Sequence, residues 1–137
     1  MSLFVDTSVW YAAADASDAG NSRAKTLLSG ADPLLTTDHV LVETWTLLHH
    51  KVHRRAAERF WEGLRGGIAT IEPVGIADLQ IAWEIGRSFR DQDFSIVDCT
   101  SFAVMRRLGI DRAASFDDDF AIFRFGPNRR RAFTLVR

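Results

Sequence analysis

The chain has 137 residues, 47% of them hydrophobic and 26% charged, with a formal net charge of −1. That balance predicts one globular domain over residues 1–137, large enough to bury a core. It excludes nucleic-acid binding through bulk charge. No apolar run approaches the about 20 residues of a membrane helix. The single cysteine, Cys99, excludes an internal disulfide and fits a reducing cytoplasm.

In chain order, Ser2 to Val5 is apolar and β-favouring and predicts a short buried strand. The opening Met1 to Asp6 has no basic region and meets an acid at once, so no signal peptide is expected. Asp6-Thr7-Ser8 can cap a helix reaching Ala14, and Asp15 to Asn21 reads as a loop. A helix over Ser22–Leu28 follows, then a strand at Pro33–Thr36. Thr37 or Asp38 can cap a helix from His39 to Lys51. Arg54–Arg65 is a further helix, stopped by Gly66-Gly67, and Ile68–Glu72 a strand ended by Pro73. Ile76–Phe89 is helical, Arg90–Phe94 a charged connection, and Ser95 caps a helix over Ile96–Leu108 with Gly109 as its stop. Arg112–Phe116 and Ala132–Val136 close the chain as strands around a turn and a one-turn helix ending at Phe123. Short apolar strands alternating with helices predict an α/β fold, a three-layer α/β/α domain on a short, mainly parallel sheet. In such sheets, sites form beyond the carboxyl ends of the strands.

Four carboxylates stand where folding alone would not put them. Asp6 ends Leu3-Phe4-Val5, Glu43 follows Val40-Leu41-Val42, Asp98 follows Ile96-Val97, and Asp117 follows Ala113-Ala114-Ser115-Phe116. A carboxylate beside a core costs free energy unless it is paired, and four of one sign ask for a shared cation. Asp6 and Asp117 fall at carboxyl ends of predicted strands. Asp98 shares a helical stripe with Phe102 and Met105, and Glu43 one with Val40 and Leu47, so both are expected to face inward. Oxygen donors of this kind suit magnesium, with manganese as the second choice, and such ions can activate water at a phosphodiester.

Arginine makes up 15 of the 17 basic residues and clusters at Arg54-Arg55-Arg59, Arg106-Arg107-Arg112 and Arg124 to Arg137. Coding bias and solvated turns account for much of this, so it argues only weakly for a phosphate-bearing partner. His49 and His53 stand at i, i+4 but at a helix C-terminus, where the dipole favours histidine, so zinc is disfavoured. The tryptophans at 10, 45, 61 and 83 fall in helical apolar patterns and are expected in the core or at an interface, with base stacking a minority role for Trp10.

At the acids, the chain resembles the PIN-domain ribonucleases, and most closely the VapC-type toxins of type II toxin–antitoxin systems. The resemblance rests on Phe4-Val5-Asp6-Thr7-Ser8, Glu43 in its helix, Asp93 to Cys99, Phe102 to Ile110, and Ser115 to Phe120. It implies a PIN-like fold and a magnesium-dependent endoribonuclease that cleaves structured RNA, tRNA or rRNA, with metal-activated water. By the same likeness, Asp6, Asp98, Asp117 and Glu43 are the catalytic acids and metal ligands, with Asp119 as a substitute for Asp117. Thr7 or Ser8 would hydrogen-bond an acid or a water, and Ser95 would order the loop before Asp98. Also implied are a homodimer and a VapB-type antitoxin. The competing readings are a non-catalytic RNA-binding PIN-like domain and a housekeeping nuclease without an antitoxin. A phospho-receiver is disfavoured because Lys25 and Lys51, the only lysines, lie in the first half of the chain, and an Asp-x-Asp phosphatase because Thr7-Ser8 follow Asp6.

Overall fold

A computed structural model describes all residues, 1–137. Five strands and seven α-helices follow in the order β1 (Leu3–Val5), α1 (Thr7–Ala14), α2 (Asn21–Leu28), β2 (Leu34–Thr37), α3 (Asp38–Lys51), α4 (Arg54–Arg65), β3 (Thr70–Glu72), α5 (Ile76–Ser88), α6 (Ile96–Leu108), β4 (Arg112–Ala114), α7 (Asp119–Ile122) and β5 (Thr134–Val136). A single 3₁₀ turn, Pro127–Arg129, precedes β5. All four strand pairings are parallel, and the strand order is β3-β2-β1-β4-β5. The chain leaves β1 for β2 on one side and later returns to β4 on the other. The β1/β4 boundary is therefore a topological switch point, where the loops beyond the strand ends diverge and leave a crevice.

The centre of the sheet is covered on both faces, with every residue of β1 and β2 buried, while the edge strands β3 and β5 are partly exposed. Threonines tolerate this burial by donating back to the main chain: Thr36 Oγ1 bonds the Val5 carbonyl at 2.9 Å and Thr44 Oγ1 the Val40 carbonyl at 2.8 Å. Thr37, not Asp38, caps α3, its hydroxyl accepting from the Val40 amide at 3.1 Å. Gly109 ends α6 in the left-handed region at φ 69°, a C-terminal stop that a side chain would strain.

The core behind β1 and β4 is aromatic. Phe102 of α6 stacks on Phe123 at 4.5 Å and meets Phe120 edge-on at 5.0 Å and Phe94 at 5.2 Å, while Phe4 of β1 lies 6.0 Å from Phe120. These rings fix α6 against the sheet one turn behind Asp98.

Two expectations need correction and a third is narrowed. β4 stops at Ala114 rather than Phe116, because the Phe116 amide leaves the ladder to donate to Ser8 Oγ at 2.9 Å. Glu43 is only half-buried: the buried stripe of α3 is Val40, Leu41, Thr44 and Leu48, and Glu43 stands on its flank. Trp83 is 65% exposed because α5 buries Asp78, Ala82 and Ile85, which leaves an interface, not the core, of its two expected places. Trp10, by contrast, is buried against Phe60 and offers no face to a base.

Candidate functional site

A cavity of about 500 Å³ opens beyond the carboxyl ends of β1 and β4. Asp6, Thr7, Ser8, Glu43, Ser95, Asp98 and Asp117 all line it. A larger cavity of about 620 Å³ lies between α1, α2 and α4 and is mostly apolar, so chemistry rather than size singles out the acidic one.

Asp6 is the first residue past β1, and its amide still pairs with the Ala114 carbonyl of β4 at 3.0 Å. It holds the N-cap position of α1, yet its side chain makes no capping bond. Instead, Oδ2 accepts from Ser8 Oγ at 3.0 Å and Ser115 Oγ at 2.9 Å. Those two hydroxyls lie 3.2 Å apart and in turn accept from the amides of Phe116 and Asp117. The start of α1 and the end of β4 are thus tied together through one carboxylate. Burial raises the Asp6 pKa to about 6, the Asp117 charge adding to this and the two serine bonds opposing it.

Asp98 sits at the third position of α6 in a reciprocal box with Ser95. The Asp98 amide donates to Ser95 Oγ, and the Ser95 amide donates to Asp98 Oδ2, both at 3.0 Å. Ser95 and Asp98 thereby hold each other at the start of α6. Burial lifts the Asp98 pKa to about 8 against that amide bond, with the charges of Asp6 and Asp117 and a carboxyl contact with Asp119 pushing the same way. Asp119 is raised as well, by its own burial first. Asp117 Oδ1 accepts from the Asp119 amide at 3.1 Å, a local turn that turns both side chains toward α6. Both members of the uncertain pair reach the site, Asp117 as lining and Asp119 as the neighbour of Asp98.

Glu43 and Leu47 form the wall contributed by α3. Thr7 Oγ1 is buried at the cavity and has no hydrogen-bond partner. The Ser8 hydroxyl, not that of Thr7, bonds the acid.

Two further residues act at the site, Ser115 buried behind the lining and Lys51 within it. Ser115 is fully buried and bridges Asp6 to the Asp117 turn. Its partner lies 109 positions away, so only strand order could have revealed it. Lys51 also lines the cavity. The steps Glu43, Leu47, Lys51 are i, i+4, i+8, a signal present in the sequence.

The donor set is all oxygen, which suits a hard cation and not zinc. No three of the His, Cys, Asp and Glu side chains converge closely enough to enclose an ion unaided. His49 stacks on Trp45 at 5.1 Å, and His53 Nδ1 accepts from the Ala56 amide to cap α4, so these histidines have other work.

The PIN domain family model matches residues 3–126. The 23S rRNA-specific endonuclease VapC20 of Mycobacterium tuberculosis, found in two strains, is 43% identical over 121 residues, covering 87% of this chain and 92% of that protein. Its crystal structure, described as that of a sarcin-ricin loop cleaving toxin, superposes with a TM-score of 0.82 at 40% identity over 87% of this chain and 92% of that one. The Rickettsia felis VapBC2 structure, bound to a promoter DNA fragment, matches with a TM-score of 0.69 at 9% identity over 99% and 98% of the two chains, a likeness of fold alone. A switch-point crevice ringed by carboxylates and two levels of similarity agree: the chain belongs to the PIN-domain family and is of the VapC type.

Proposed function

We propose that this protein is a metal-dependent endoribonuclease, the toxic half of a type II toxin–antitoxin pair, acting on ribosomal RNA. The carrying observation is the convergence of Asp6, Asp98 and Asp117 on one cavity, with Asp119 against Asp98; burial first, and the neighbouring carboxylates after it, raise the pKa values of Asp6 and Asp98 there. Such crowding is expected at functional sites rather than structural ones. The relative's name supplies the substrate class, 23S rRNA.

The residues fit a divalent cation. PIN nucleases generally use one, and here the donors are oxygens. The unpartnered Thr7 hydroxyl gives an ordered water a partner, and the open arrangement suits magnesium, which keeps several waters, or manganese. Asp6 and Asp98 would hold the ion, with Asp117 and Asp119 completing the ring through water. Bound there, the ion supplies an activated water and neutralises charge building on the phosphodiester. The chain's own groups do the rest. Ser8 and Ser115 fix the Asp6 carboxylate, Ser95 fixes Asp98, Glu43 orients the attacking water from the α3 wall, and Lys51 meets a phosphate oxygen.

The working unit is residues 1–137 as one domain, since β5, beyond the matched family segment, pairs along β4 and completes the sheet. A homodimer, a VapB-type antitoxin and a cytoplasmic setting complete the reading. No helix is long and apolar enough to cross a membrane.

The test is cleavage of purified ribosomes and total RNA with magnesium, with Asp6→Asn in parallel and end mapping of the products. Discrete 23S ends from the wild type alone are expected. Equal cleavage by both proteins would refute the proposal, and binding without cleavage would favour a non-catalytic RNA-binding domain. Intact toxicity with no antitoxin frame beside the gene would favour a housekeeping nuclease.

A further inference from the structure

The arginines between Arg124 and Arg131 play no part in the acidic crevice. After α7 the chain runs Phe123 to Phe125, turns through Gly126 and returns at Arg131, where Phe125 and Arg131 exchange amide–carbonyl bonds of 3.0 Å. Inside the turn, Asn128 and Arg129 adopt φ 58° and 50°, left-handed backbone that residues other than glycine rarely enter.

This turn lays arginines onto phenylalanines. The Arg129 guanidinium lies 4.7 Å from the Phe89 ring, and that of Arg131 lies 5.1 Å from the Phe125 ring. From α6, Arg106 lies 4.8 Å from the same Phe125 ring. The rings themselves are continuous, Phe89 to Phe123 at 5.4 Å and Phe123 to Phe125 at 5.8 Å. Three guanidinium groups therefore lie along one aromatic row.

A structural arginine finds carboxylates, as Arg107 does with Asp78 and Glu72. Arg106, Arg129 and the exposed Arg130 have no carboxylate within 4 Å, and Arg131 has only the exposed Asp111 at 3.8 Å. A guanidinium held on an aromatic ring keeps its N–H edges free and loses little freedom on binding. Its planar fork matches the oxygens of a phosphate. The row also leads to the crevice: Phe89 lies 5.8 Å from Phe94, which precedes Ser95, the partner of Asp98. The nearby acids Asp91 and Asp93 lie in that connecting loop.

We propose that Arg106, Arg129, Arg130 and Arg131 form a phosphate-backbone site that grips single-stranded RNA beside the crevice. It rests on the ribonuclease reading and adds where the strand runs. The ligand is the phosphodiester backbone, read without base preference.

The test is anisotropy of labelled oligo(U) of about 30 nucleotides, in EDTA, across a potassium chloride series. Each phosphate contact on a single strand adds about 0.7 to the slope of log affinity against log salt. Arg129→Gln with Arg130→Gln is expected to lower the slope by about 1.4 and to weaken binding about tenfold at low salt. Arg106→Gln, on a regular helix independent of the turn, should lower it by about 0.7. Lysine at 129 and 130 should restore the slope, because the slope counts charges. Arg65→Gln, on α4, is the control and should leave it unchanged. With magnesium, the glutamine variants should keep wild-type kcat on a substrate trimmed to the cut site and show a raised KM on a long one.

Unchanged slopes in a wild type that still cleaves RNA would overturn this site and leave the ribonuclease reading standing. Loss of antitoxin binding with the RNA slope intact would overturn it in favour of a protein-docking surface. A wild type that neither binds nor cleaves RNA would remove both.

Discussion

Asp78 and Asp98 occupy the same place in two neighbouring helices. Each is the third residue of its helix, each is buried, and each accepts the N-cap amide at 3.0 Å, from Gly75 in α5 and from Ser95 in α6. Their surroundings are opposite. Asp78 receives Nε and Nη2 of Arg107 at 2.9 and 3.0 Å, and that bond first of all holds its carboxyl below the usual range. Asp98 receives no cation, faces Asp6, Asp117 and Asp119, and is pushed up to about 8. The same carboxylate-to-N-cap bond serves as a structural clamp in one helix and a charge reservoir in the other. Burial of an acid therefore says little until its partner is named.

The sharpest way to break the comparison is to neutralise each acid in turn. Asp98→Asn removes a proposed ligand and should cost about a thousandfold in RNA cleavage, read as initial rates on a defined fragment. Its melting temperature in EDTA should hold or rise, because a repelled charge is gone. Asp78→Asn should do the reverse, keeping the activity of the folded protein while lowering stability. A single outcome shared by both would mean that the motif, not its partner, sets the role.

Removing the partner tests the same point from the other side. Arg107→Gln leaves the Asp78 charge buried and unpaired. Arg107 is itself 41% exposed, so the cost sits below the fully buried range, at about 2 kcal/mol in urea unfolding. A loss near zero would show that water, not Arg107, satisfies Asp78.

Much of this was legible in the sequence, for reasons tied to particular residues. Asp6 and Asp98 stand out because each interrupts an apolar run at a strand end or a helix cap, and Ser95 and Gly109 bound α6 by local chemistry alone. Glu43 is half-buried because packing buries Val40, Leu41, Thr44 and Leu48, a stripe that the spacing of Val40 and Leu47 does not reveal. Trp83 lies on the exposed face because α5 buries Asp78 to meet Arg107, so its apolar pattern does not mark the core. Ser115 was beyond reach, since its bond to Asp6 exists only once β4 lies beside β1. The aromatic seating of the C-terminal arginines likewise depends on rings from α5 and on the turn after α7.

A smaller effect sharpens the contrast through pH. Asp6 and Asp98 have folded pKa values of about 6 and about 8 against an ordinary 3.8, so the folded state holds protons that the unfolded chain has released. Their contribution is complete below about pH 4 and is lost as pH rises through about 6 and then about 8. Asp78, with its lowered pKa, contributes above about pH 4 and is lost on acidification. In EDTA the melting temperature should therefore peak near pH 4 to 5 and fall by a few degrees toward pH 8. Magnesium should lift it more at pH 8 than at pH 5, because the ion and protons compete for the same carboxylates. An equal lift at both pH values would separate the metal from these acids.

The smallest effect concerns how Asp6 is held. Ser115 donates to Asp6 at 2.9 Å and also accepts from the Asp117 amide at 3.3 Å, so one hydroxyl serves both strand ends. Ser115→Ala removes a bond that lowers the Asp6 pKa and leaves Ser8 as the remaining hydroxyl donor. Cleavage should fall several-fold at pH 6 and recover as pH rises, since deprotonating Asp6 then needs less help, and stability should drop by about 1 kcal/mol. Asp78 has no counterpart to this bond: its oxygens are satisfied by Arg107 and the Gly75 amide, and no hydroxyl tunes it. A pH-independent loss in Ser115→Ala would mean that the serine positions the Asp117 turn rather than the charge on Asp6, and would move the tuning of this crevice from β1 to the loop after β4.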